Sequence, residues 1–353
     1  MYEAILYEPM ARQAVRCTAC RIRCVIKPGG AGVCGVRQNK DGKLCLLVYG
    51  KASAVNIDPI EKKPLYHFLP GSRIFSIGTI GCNFACSFCQ NWDISQRART
   101  LREQLMKEKH IEDIGLEVGQ YGYELPPERV VKLCLEKKVP SIAYTYNEPV
   151  IFFEYLHDIS TLARQHGIRT VFMSNGYESE EALDLAGGYL DAMNIDLKSF
   201  RDAFYKKVCK ARLQPVLDTI QEVHRRGIWL EVTTLVIPGQ NDSEAELQDI
   251  AGFLSSVSTD IPWHISAFHP AYQMKDPPRT SRAVLEKAYD IGLAAGLKYI
   301  YLGNTEDDQR SATYCPGCGA ALIRRTGYRT WMEDIFNQGQ CLRCKTQIPG
   351  VWQ

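Results

Sequence analysis

The chain has 353 residues, 45% of them hydrophobic and 23% charged, enough to bury a sizeable core without disulfide staples. A formal net charge of +2 supplies no global field for nucleic acid or membrane, and no stretch approaches the ~20 apolar residues of a membrane span. Met1 to Arg16 lacks the apolar run of a secretion signal, so the expected location is the cytoplasm, where clustered cysteines read as metal ligands rather than disulfides.

Eleven of the fourteen cysteines fall into three clusters, one in each of three compositional regions, 1–70, 71–305 and 312–353. The first region reads as a Cys-rich extension. Its spacing Cys17-x2-Cys20-x3-Cys24-x9-Cys34 predicts a metal site, with zinc and an iron–sulfur cluster both open. Cys45 lies in the alternating run 44–49 and is expected to pack in a strand.

A strand is expected over 73–79, running into a cysteine loop. A charged insertion follows over 97–123, expected on the surface near the site mouth. Helices are expected over 127–138, 150–166, 179–186, 215–226, 243–255 and 282–295. Strands are expected over 142–146, 169–173, 192–197, 229–236, 263–267 and 299–302. In the first helix, Val130, Val131, Leu133 and Leu135 are assigned to the buried side and Cys134 is read as packed. Cys209, beside Lys206, Lys207 and Lys210, reads as an exposed thiol. Strands alternating with helices of this length indicate parallel β/α units. Polar and special residues gather just after the strands, as they do at the ligand face of a barrel. The fold class is therefore α/β, with an open barrel favoured over a doubly wound sheet.

The loop Gly81-Cys82-Asn83-Phe84-Ala85-Cys86-Ser87-Phe88-Cys89 has the spacing C-x3-C-x2-C. Three thiolates on one loop can each hold one iron of a four-iron cubane and leave the fourth iron open. An open iron can chelate the amino and carboxylate groups of S-adenosylmethionine and pass one electron to its sulfonium. The alternatives are three packed thiols or a zinc site completed elsewhere.

The tail carries Cys315-x2-Cys318, then Cys341-x2-Cys344, a zinc-ribbon-like pattern with a rubredoxin-like iron site as the alternative. Arg324, Arg325, Arg329, Arg343 and Lys345 make it basic, which raises a nucleic-acid partner against the plainer reading of a solvated face.

The C-x3-C-x-Phe-C motif resembles that of the radical S-adenosylmethionine (radical SAM) superfamily. The stretch from Asp58-Pro59-Ile60-Glu61 to Phe68-Leu69-Pro70-Gly71, with Gly81-Cys82-Asn83-Phe84 and Cys89-Gln90-Asn91-Trp92-Asp93, is similar to the radical enzyme of the AmmeMemoRadiSam system. That enzyme is related to the pyruvate formate-lyase activases. The resemblance implies a partial (β/α)6-type open TIM barrel. It implies a [4Fe-4S] cluster on Cys82, Cys86 and Cys89, with S-adenosylmethionine as cofactor. Phe88 would pack against adenine. Glu148, helped by Asn147, would meet the methionyl ammonium, although Tyr146 and Asn147 replace the two glycines common before this Glu-Pro pair. Ser174 and Asn175, with Asp196 and Lys198, resemble elements that contact ribose and carboxylate. Thr233 stands where some activases have an arginine. Lys198 could instead only pair with Asp196. His264 and His269 could bond the nucleoside, relay a proton, or be satisfied structural histidines.

The activity expected is radical generation with hydrogen abstraction from a glycyl residue, a nucleotide or RNA, or a small molecule. Partners would be a flavodoxin- or ferredoxin-type reductant and the companion proteins of that system. A non-catalytic metal-binding adaptor is the reading from another class.

Overall fold

The structure, a computed structural model, describes residues 2–353 and divides into two compact units. One contains the chain up to Ile57 and Ile74–Asp191; the other contains Asp58–Arg73 and Ala192–Gln353.

In the first unit, strand Arg73–Gly78 pairs in parallel with Ser141–Tyr144, which pairs in parallel with Arg169–Ser174. All four residues of Ser141–Tyr144 are buried, the mark of a parallel strand covered on both faces. Helices Pro127–Glu136 and Phe153–Gln165 cross between these strands. Proline opens the first of them, where its missing N–H costs nothing.

That helix corrects one expectation. Pro127, Val130, Val131 and Cys134 are buried, whereas Leu133 is half-buried and Leu135 is exposed. At about 100° per residue, 127, 130, 131 and 134 share one face, and 133 and 135 fall on either side of it.

The head of the first unit is built from short antiparallel strands. Tyr7–Pro9, Val15–Cys17 and Val25–Ile26 form one sheet, and the hairpin Arg37–Lys40 with Lys43–Leu46 carries another. Cys45 is buried in that hairpin. Arg37 and Glu154 form a fully buried ion pair. After a short helix Trp92–Ser95, the charged insertion is helical over Arg97–Glu108 and Ile114–Gly119. It braces the cysteine loop and the head: Arg99 donates to the Asn83 carbonyl and Arg102 to the Ala31 carbonyl, both at 3.0 Å.

In the second unit, Leu190–Asp196 enters from Ala192 and pairs in parallel with Trp229–Val236. Trp263–Ala267 and then Ile300–Gly303 follow in the same parallel order. The tail adds an antiparallel sheet of Thr313–Tyr314, Ala321–Thr326 and Arg329–Met332. Its Cys315, Leu322, Ile323, Phe336, Cys341 and Ile348 share one buried cluster with Tyr66, Tyr299 and Tyr301.

Two further expectations change here. Arg325 is 1% exposed, donates to the Tyr66 and Ser311 carbonyls and Thr313 Oγ1, and stacks 4.1 Å from the Tyr66 ring, so it is absent from any basic surface. Cys209 is fully buried, because the wide turn Tyr205–Cys209 directs Tyr205, Val208 and Cys209 inward while Lys206 and Lys207 stay exposed. No helix among the described residues is long and apolar enough to cross a membrane.

Candidate cofactor site

The strand Arg73–Gly78 ends at a sharp turn that launches the cysteine loop. Gly81 has φ +92°, and a Cβ there would come within 2.7 Å of the Cys34 carbonyl, so the loop lies tight against the head. Cys82 and Cys86 are buried and Cys89 is half-buried, with Cys89 Sγ 3.1 Å from Ser95 Oγ. Phe88 is buried between the second and third cysteines. Burial, with Glu148 and the two other cysteines close by, raises the Cys82 thiol well above its ordinary value. A thiolate there calls for a cation, as a metal ligand has.

The segment after the second strand, Tyr144-Thr145-Tyr146-Asn147-Glu148-Pro149, shows what replaces the glycines. Tyr146 adopts φ +70°, the left-handed conformation a glycine would take without strain. Asn147 braces the cysteine loop, donating from Nδ2 to Thr79 Oγ1 at 3.1 Å and to the Gly81 carbonyl at 2.9 Å.

Glu148 lies 1% exposed and accepts from Asn175 N at 2.9 Å, from Ser174 Oγ at 3.2 Å and from Val150 N at 3.4 Å. Ser174 Oγ also accepts from Gly176 N at 2.9 Å, and Asn175 Nδ2 donates to Asn83 Oδ1 at 2.7 Å. Burial, then the nearby Glu178, raises the Glu148 carboxyl well above the usual carboxylate range. Glu178 is equally buried and its carboxyl is raised, chiefly by burial.

Neither Glu178 carboxylate oxygen, nor Asn83 Nδ2, nor Asn175 Oδ1 has a hydrogen-bond partner among the described residues. Buried polar atoms are seldom left so, and this donor–acceptor set suits a polar ligand carrying an ammonium group. The residues therefore fit S-adenosylmethionine beside a three-cysteine cluster. The reading of the sequence missed Asn83 and Glu178. Their signal was position alone: one adjoins Cys82 and the other lies four residues past Ser174 on the same loop.

The second unit holds the other expected residues. Thr233 Oγ1 donates to Asn194 Oδ1 at 2.9 Å, and Lys198 pairs with Asp196 at 2.6 Å. His264 is buried with Nε2 2.6 Å from Glu231, which also accepts from Tyr66 N, His67 N and Trp229 Nε1. Burial alone would raise the Glu231 carboxyl; the His264 imidazole brings it below the usual value. His269 is exposed two residues past the strand Trp263–Ala267.

In the tail, Cys315 Sγ lies 3.4 Å from Cys344 Sγ and Cys318 Sγ 3.8 Å from Cys341 Sγ, with all four sulfurs within 4.8 Å of one another. In the head, Cys17, Cys20, Cys24 and Cys34 line one small hollow.

Residues 76–251 match the radical SAM superfamily. An uncharacterized protein of Methanocaldococcus jannaschii is 41% identical over 327 residues, covering 92% of each chain. The pyruvate formate-lyase-activating enzyme of Clostridium pasteurianum is 22% identical over 50% of this chain and 67% of its own. A GTP 3′,8-cyclase of Limosilactobacillus fermentum is 24% identical over 56% of this chain and 66% of its own. The cysteine loop and the Glu148–Asn175 group both lie inside the matched span, and the chain belongs to the radical SAM superfamily.

Proposed function

We propose that Cys82, Cys86 and Cys89 hold a [4Fe-4S] cluster within an open (β/α)6-type barrel, and that the chain uses S-adenosylmethionine to abstract hydrogen from a substrate. The observation that carries this reading is the buried group around the cysteine loop. There the Glu178 carboxylate, Asn83 Nδ2 and Asn175 Oδ1 have no hydrogen-bond partner among the described residues, and Asn175 N–H ties them to the buried Glu148. When bound, the cluster and S-adenosylmethionine supply a 5′-deoxyadenosyl radical by one-electron cleavage of the sulfonium.

The protein's own part is to bind and orient. Three thiolates leave one cluster position for the methionyl amino and carboxylate groups. Glu148, held by Asn175 and Ser174, accepts the ammonium, and Glu178 supplies a second carboxylate. Phe88 gives an apolar surface for the adenine. The roles of Asp196, Lys198, Thr233, His264 and His269 toward the cofactor rest on the resemblance alone. The tail cysteines hold zinc, on the strength of sulfur separations close to the ~3.8 Å that tetrahedral bonds of about 2.3 Å require.

The stretch Asp58–Gly71 supports a place in the AmmeMemoRadiSam system, with its companion proteins as partners and a flavodoxin- or ferredoxin-type electron donor. A second reading, activation of a glycyl-radical enzyme, draws on the activating-enzyme relative.

Anaerobic reconstitution tests the proposal. Cys86→Ala should lose the cubane signal and all 5′-deoxyadenosine, and full cleavage in that variant would overturn the assignment. Glu148→Gln should keep its iron yet bind S-adenosylmethionine more weakly by about 1.5–3 kcal/mol, the range for a hydrogen bond to a charged group. Unchanged affinity would remove Glu148 from the site.

A further inference from the structure

The head cysteines stand apart from the proposed reaction, and two short turns bring them together. In one, Cys17 N–H bonds the Cys24 carbonyl at 2.9 Å across the mouth of a hairpin, with Arg23 N–H on the Cys20 carbonyl at 3.1 Å inside it. In the other, Gly32 N–H bonds the Arg37 carbonyl at 2.9 Å and Gly35 N–H bonds the Gly32 carbonyl at 3.0 Å, which folds Cys34 back. The Gly32 backbone passes beside two of the sulfurs: a Cβ there would make ordinary contact, 3.7 Å from Cys24 Sγ and 3.8 Å from Cys34 Sγ. Arg37, neutralised by its ion pair with Glu154, directs a guanidinium N–H to Cys17 Sγ at 3.9 Å.

The two cysteine quartets of this chain differ in kind. In the tail the sulfurs almost touch, which leaves space for one ion. In the head the four cysteines, with Ile26, Arg37 and Asn83, surround a hollow. Among the described residues the four tail sulfurs meet the 4.8 Å mutual spacing of a single-ion site and no three of the head sulfurs do. A core of irons and bridging sulfides holds its thiolates farther apart than the ~3.8 Å edges of one tetrahedral ion. Four thiolates would close every ligand position, and the Arg37 N–H to sulfur is the kind of contact that stabilises a cluster's charge.

We propose that Cys17, Cys20, Cys24 and Cys34 hold a second iron–sulfur cluster, coordinated by protein on every side and so unable to bind S-adenosylmethionine. Its loop clasps the segment that carries Asn175 and Glu178. Cys20 forms a β-bridge with Glu178, and Arg21 N–H bonds the Tyr177 carbonyl at 2.9 Å. Ser179 Oγ donates to the Ala19 carbonyl at 3.1 Å, and Arg23 grips Glu181 through two contacts of 2.6 Å. Losing the cluster therefore loosens residues 176–181.

The test uses the full chain with Cys82, Cys86 and Cys89 all changed to Ala, reconstituted anaerobically with ferrous iron and sulfide. It should keep about two to four irons per chain with equal acid-labile sulfide, the content of a small protein-ligated cluster. Adding Cys20→Ser and Cys24→Ser should abolish this iron. In the otherwise native chain, the Cys20→Ser/Cys24→Ser pair should lower iron by the same amount and speed amide exchange over 176–181. If the triple variant does not fold, the native and double-variant iron counts decide. Equal iron in those two proteins, no iron in a folded triple variant, or zinc bound at the head cysteines would each overturn the proposal.

Discussion

Asn175 donates its side-chain amide to Asn83 Oδ1 at 2.7 Å, joining the loop that follows Arg169–Ser174 to the loop that carries the three cysteines. Its backbone N–H at the same time holds Glu148 at 2.9 Å. One residue thus fixes the distance between the carboxylate and the cysteine loop.

Asn175→Ala should accordingly weaken S-adenosylmethionine binding by about 1–2 kcal/mol, with iron content unchanged, since a buried partner is left unmatched. Asn83→Ala should do the same. Because the two side chains share one bond, a double-mutant cycle on affinity should show a coupling of about 1 kcal/mol. Strictly additive losses would mean that the bond does not organise the site.

The tail is part of the second unit's core rather than a detachable appendage, since Leu322, Ile323, Phe336 and Ile348 pack with Tyr299 and Tyr301. Cys341→Ser, fully buried in that cluster, should release about one zinc per chain by the four-thiolate argument. It should also lower the stability of the second unit by several kcal/mol, of the order known for lost structural metal sites. Denaturant unfolding alongside metal analysis checks both. A chain that loses zinc with no change in unfolding midpoint would show the tail folding on its own.

His67 makes that unit sensitive to acid. Its Nδ1 meets the Pro349 carbonyl at 2.8 Å, so that nitrogen carries the proton, and Nε2 accepts from Tyr301 OH at 2.6 Å. Burial pushes the imidazole down to about 4. Between its ordinary 6.5 and about 4, the unfolded chain binds a proton there and the folded chain does not. Stability should therefore fall as pH drops through this window, by about 1.4 kcal/mol per pH unit from this one group. Unfolding free energies of the native protein and His67→Gln, compared from pH 7 to pH 4, should differ in slope by about one proton. Parallel slopes would show that His67 is not the group responsible.

What the sequence by itself determined is local. The alternation of strand and helix and three cysteines within eight residues are both patterns over a few positions; the first led to the α/β class, and the cysteine motif carried the resemblance to the superfamily. Tertiary structure decided the fate of single side chains. Leu135 faces outward because one helix face suffices for the core, Cys209 turns inward despite its lysines, and Arg325 is buried because Tyr66, Ser311 and Thr313 satisfy it. Glu178 entered the candidate site the same way, drawn inside by the head loop that bridges it at Cys20. Burial of a charged or polar group depends on partners far away in the chain, and spacing along the sequence carries no record of them.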